Sequence, residues 1–155
     1  MSEAIYAELR RRMDRVSWVR PGETEVRKFK TMGRRIVMFD KVSTKQQPWC
    51  GQAEYGEELN QVSGMPYKTI LEAHWLIYQD EARNPKAEAT IENNLIVDAV
   101  KEALKAIPAD VGFYEKRNTL GNLAYHCFIK GRIFKDPGDI DGQGLVLVPI
   151  RILVP

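Results

Sequence analysis

The sequence predicts an α+β domain, a mostly antiparallel β-sheet with two main helices packed on one face. Three observations predict it. Segments 2–17 and 89–107 repeat apolar residues at the helical period. Segments near 34–39, 48–55, 67–78, 120–134 and 144–154 alternate or run apolar at strand length. The resulting order is helix, two or three strands, helix, two strands, with the last two forming a hairpin. A chain of 155 residues suits one domain over 1–155, since this size buries roughly 70% of its unfolded surface.

The first helix carries Ile5, Leu9, Met13 and Val16 at i, i+4, i+8 and i+11. Ser2 is its expected N-cap, and Glu3 favours the positive end of the helix dipole. Arg10, Arg11, Arg12 and Arg15 are expected to point mostly away from the stripe. Pro21-Gly22 breaks the pattern. Arg34 to Phe39 read as a strand, and Pro48 opens the next, where a proline costs little. Residues 56–66 read as a long loop with two glycines and a proline. Along 67–78, Thr69, Leu71, Ala73, Trp75 and Ile77 share a face, and Lys68, Ile70, Glu72, His74, Leu76 and Tyr78 share the other. Both faces carry apolar groups, so both are expected to be partly covered. A polar stretch, 79–86, ends that run.

Ile91, Leu95, Ile96, Ala99, Val100, Ala103, Leu104 and Ile107 make the wide stripe of the second helix, which Pro108 stops. Residues 120–134 alternate again, 136–143 form a turn, and 144–154 form a final apolar strand. Pro149 inside it predicts an edge or bulged strand.

Composition bounds the chemistry. No run of about 20 apolar residues spans a membrane, and the first residues lack the apolar core of a secretory signal. Cys50 and Cys127 make no disulfide framework and lack metal-ligand spacing. A soluble protein in a reducing compartment is the expectation. With only His74 and His126, a His-rich metal site is excluded. Net charge is +2, yet residues 1–35 carry ten basic and five acidic groups, a net of +5, and the remainder carries −3.

Each candidate site has a plainer alternative. Asp139-x-Asp141-Gly142 fits part of a calcium loop but lacks the twelfth-position glutamate, and Asp and Gly are ordinary turn residues. His126 and Cys127 are strand neighbours facing opposite ways. No surrounding motif supports a Cys50–His74 nucleophilic pair. No phosphate-binding, dinucleotide-binding, zinc-protease or nucleophile-elbow motif is present. No enzyme, cofactor or metal is therefore expected. The arginines at 10, 11, 12 and 15 suit either nucleic acid or an acidic partner. The acidic stretch Glu54, Glu57, Glu58, with Leu59, in another copy is such a partner. A basic face meeting an acidic loop is a head-to-tail contact, which closes into rings.

The C-terminal third carries a further pattern. Arg117-Asn118-Thr119-Leu120-Gly121-Asn122-Leu123-Ala124-Tyr125-His126-Cys127, then Ile129-x-Gly131-x-Ile133, leads into Asp136-x-Gly138-x-x-Asp141-Gly142-Gln143. It closes on Val148-Pro149-Ile150-Arg151-Ile152-Leu153-Val154. This resembles the tail-terminator, or minor tail protein U, family of long-tailed phages and prophages. The early amphipathic helix, Arg34-Arg35, Gln46-Gln47-Pro48 and the long second helix fall in the corresponding order.

The resemblance implies a structural virion protein with no catalytic residues or cofactor. It implies a homo-hexameric ring on the head-proximal end of the tail tube, assembled in the host cytoplasm and sited at the neck of the virion. The implied partners are the major tail tube protein and the head-side connector, with phage DNA passing through unread. Another head–tail connector or a tail-tube component is the near alternative. A small nucleic-acid-binding protein, or a carboxylate-dependent hydrolase at Asp136, Asp139 and Asp141, comes from a different class.

Overall fold

The computed structural model describes residues 1–84, 88–110 and 116–155; part of the polar stretch 79–86 lies outside them. Its elements in order are α1 (Ser2–Arg12), β1 (Thr31–Gly33), β2 (Trp49–Leu59), β3 (Thr69–Gln79), α2 (Ala89–Ala103), β4 (His126–Ile129), β5 (Phe134–Asp136) and β6 (Gly144–Val154). The strands form one sheet in the order β1-β2-β3-β6-β4, with β5 also pairing β6. Among the described residues only the β1–β2 pair is parallel. This is the α+β architecture the patterning predicts.

One layer of core holds the helices to the sheet. Ile5, Leu9 and Met13 meet Ile96 and Val100 over Leu71, Trp75, Ile77, Val148, Ile150 and Ile152. Each such side chain contributes about 1.5–3 kcal/mol on burial. Trp75 is fully buried, and its indole N–H donates to Gln52 Oε1 at 3.0 Å, so the ring is packed without an orphaned donor.

Several boundaries differ from the sequence expectation. Ser2 is the first helical residue, and Met1 is the N-cap with no side-chain bond. The helix ends at Arg12, passes through a 3-10 turn at Met13–Arg15 and extends at Val16. Residues 34–39 are not a strand; β1 precedes them. Their apolar groups are satisfied by packing: Val37 and Phe39 join Val42, Trp49 and Tyr78 on the sheet face opposite the helices. Tyr78 Oη donates to Val37 O at 2.8 Å. The second helix stops at Ala103, ahead of Pro108; proline has no N–H to donate to Leu104 O, and Asn118 Nδ2 fills that acceptor at 3.0 Å.

The largest differences fall in the strands. Residues 56–59, expected in a loop, continue β2 past a bulge at Tyr55, paired with Glu72 to Thr69. Residues 120–125 form turns, with left-handed backbone at Leu120, Gly121 and Asn122. Strand β6 is no edge: it pairs β3 from Gly144 to Val154 and, on its other side, β4 at Ile150 to Leu153 and β5 at Leu145 to Leu147. Pro149 fits there for a local reason. Its carbonyl accepts from Lys130 N, so its nitrogen also faces the β4–β5 side, where the ladder is interrupted, and β3 loses no bond.

Candidate interaction surface

Arginines of the N-terminal third are spent mainly within the fold. Arg12 is 2% exposed. Its Nη2 lies 2.9 Å and its Nη1 3.4 Å from the Asp110 carboxylate, and its Nε reaches Glu8 at 3.2 Å. Asp110 also accepts from Thr119 Oγ1 and from the backbone N–H groups of Ile107 and Gly121. Burial raises its pKa, but the bonds from Arg12, Gly121 and Ile107 outweigh that and hold it below the ordinary aspartate value. Arg12 therefore leaves the expected surface face and becomes an internal tie between α1 and Asp110, which in turn holds Ile107, Thr119 and Gly121.

Its neighbours are partly neutralised. Arg10 pairs with Asp14 at 3.3 Å, and Arg11 with Glu8 at 3.0 Å. Arg15 is exposed and donates to Ala103 O at 3.5 Å. Farther along, Arg20 and Arg27 meet the buried Glu92, which also accepts from Trp18 Nε1 at 2.8 Å. Glu81 pairs with both arginines. Arg12, Arg20 and Arg27 thus tie the N-terminal segment to the acidic remainder of the same chain, while Lys28, Lys30 and Arg35 stay exposed with no ion pair among the described residues.

The acidic residues divide differently. Glu54 is held by Arg34, which also binds Glu3. Glu57 and Glu58 are exposed and form no ion pair among the described residues. Leu59 is 67% exposed. These residues lie on the outer edge of β2, because β1 covers only Trp49 to Gly51. Tyr55, in the bulge, lies against the His74 ring at 4.4 Å and shares a 3.1 Å hydrogen bond with Nε2.

The sheet face opposite the helices is largely open. Residues 37–46 cover one end of it, over Leu76 and Leu145. Beyond them Ile70, His74, Leu147, Pro149, Leu153 and Phe128 remain half-exposed, and Phe134 is exposed. Glu72 and Arg151 form a 3.3 Å pair among them. Sequence alternation hints at this surface, since β3 and β6 carry apolar residues on both faces, but it does not say that the helices take only one.

The catalytic candidates separate. Cys50 pairs across from Ile77 on the helix-covered face, while His74 lies on the other, so the two do not meet. Burial pushes the Cys127 thiol up to about 12, and it is inert toward nucleophilic chemistry at neutral pH. Asp136 and Asp141 accept backbone N–H bonds from Gly138 and Gln143, the pattern of aspartate turns. No cluster of three metal-ligating side chains occurs among the described residues. No helix among them is long and apolar enough to cross a membrane.

In comparison with known proteins, no family model matches the chain, and no curated protein does.

Proposed function

We propose that this protein is an assembly subunit of the tail-terminator type. Copies join into a ring of six that caps the head-proximal end of a phage tail tube. The ring stops tube polymerisation and presents a surface to the head-side connector, and DNA passes through it without being read. The protein is assembled in the host cytoplasm and resides at the virion neck.

One observation carries this reading beside the C-terminal resemblance. The sheet has helices on one face only, leaving an apolar face and the outer edge of β2 uncovered. Exposed apolar surface of that kind is characteristic of protein contact sites. A ring subunit needs two different surfaces for its neighbours and further ones for the tube and the connector. A duplex-binding role through Arg10, Arg11, Arg12 and Arg15 has less support, because Arg12 is internal and two of the others are paired.

Negative-stain microscopy of the purified protein, alone and with tail tubes, tests the proposal. Discrete rings, one at the head-proximal end of each tube, are expected. Particles that stack into long tubes would point to a tube component. Duplex binding that weakens steeply with salt, without rings, would favour the nucleic-acid reading.

A further inference from the structure

We infer that neighbouring copies in the ring meet edge to edge, the acidic outer edge of β2 against the basic outer edge made by β4, residues 130–133 and β5. This rests on the ring reading above and names the surfaces that make it.

Charge is the first argument. On one edge of the sheet, Glu57 and Glu58 are exposed with no ion pair among the described residues. On the opposite edge, Lys130 and Arg132 are exposed in the same condition. Two copies meeting by the same edge would set like charges against each other. Opposite edges attract, so the charge pattern selects a head-to-tail contact.

Strand direction is the second. Strands β2, β3, β6 and β4–β5 alternate up, down, up, down. A second copy placed with its β2 beside β4–β5 continues that alternation without a break. The levels also agree. Glu54 pairs Ala73, Ala73 pairs Ile150, and Ile150 pairs Ile129. By the same route Glu58 stands level with His126. The open half of β2 is therefore matched in height to β4, with Glu57 level with Cys127. Lys130, level with Ala53, stands farther along the strands, so the charges meet only through long side chains or an offset.

Apolar groups complete the match. Tyr55, 55% exposed, and Phe128 stand near one level on the helix-free face. Leu59 stands near the level of Tyr125, the residue before β4. At Cys127 the backbone N–H is taken by Asn118 O, so contact there is through side chains.

Two double variants test this. Glu57→Lys with Glu58→Lys makes both edges basic; Lys130→Glu with Arg132→Glu makes both acidic. All four positions are exposed, and circular dichroism confirms that each variant folds. Each alone is expected to need at least about tenfold more protein to assemble. Mixed in equal amounts, they are expected to form alternating rings at the wild-type concentration. Variants that assemble like wild type, or a mixture that stays unassembled or stops at one-to-one dimers, would overturn the edge pairing while leaving the ring reading intact. Wild-type protein that never oligomerises would overturn both.

Discussion

At the residue scale, the Arg12–Asp110 pair is the clearest divergence from what the sequence suggests. Four arginines on one helix read as a surface patch, yet one of them is enclosed with its counter-ion. Replacing one partner of a buried pair strands the other, at a cost of about 3–5 kcal/mol. Asp110→Asn is expected to lower stability by that amount in urea unfolding, while Arg11→Ala, at a 73% exposed side chain, changes it by less than about 0.5 kcal/mol. Equal effects would return Arg12 to the surface. No local spacing announces the burial, because Asp110 is far away in sequence and only the fold brings the two together.

Histidines set a pH dependence of definite sign. Burial holds His74 and His126 below their ordinary value, with Arg117 adding to the effect at His126. In the unfolded chain they protonate near pH 6.5, at about the ordinary value, while the folded forms stay neutral farther down. Unfolding therefore takes up protons, and stability falls as pH drops below about 6.5. Asp110 acts lower: its depressed value stabilises the fold above the ordinary aspartate range, and that contribution is lost as pH falls through the folded value. The thermal midpoint is expected to be lower at pH 5.5 than at 7.5, with a smaller drop in His126→Gln. A flat profile would remove the histidines from the account.

At the element scale, the two helices and the long strands β3 and β6 are legible because their period survives over a dozen residues. Short pieces are not. Residues 120–125 alternate like a strand, but Gly121-Asn122 supplies left-handed backbone and bends the chain. The extension of β2 is hidden for the converse reason. Glu57 and Glu58 are weak strand formers, and pairing with Leu71 and Ile70 imposes the conformation. Amide exchange checks this. Outward-facing amides of residues 54–59 are expected to exchange much faster than those of Leu71 to Ile77 or Val146 to Ile152, which are paired on both sides or buried. Equal protection would mean that something already covers the β2 edge.

The β5–β6 turn is a second test at this scale. Gly138 has φ +79°, and a Cβ there would stand 2.7 Å from Gln143 C and Gly144 N. Gly138→Ala is expected to cost about 1–3 kcal/mol in chemical unfolding. Gly142→Ala, with φ +75° but open space around it, is expected to cost only about 1 kcal/mol, the left-handed backbone penalty. A neutral Gly138→Ala would mean that the turn adjusts freely.

For the whole molecule, the charge asymmetry takes on a different meaning once the fold is in view. The basic N-terminal third binds the acidic remainder of its own chain through Arg12, Arg20, Arg27 and Arg34. Among the exposed charges that form no ion pair within the described residues are two glutamates on one sheet edge, and a lysine and an arginine on the other. The sequence carries those four residues openly, but their placement on opposite edges depends on strand order, which no local pattern encodes. The candidate surface is thus half legible, its acidic part from composition and its basic part from topology alone.

The central claim is that this chain is built to join copies of itself into a closed ring. Light scattering of the purified protein across a range of concentrations tests it most directly. The account predicts a single discrete species of six copies of the 17.8 kDa chain, dissociating as salt screens the edge charges. A constant mass of one chain at every concentration would contradict it.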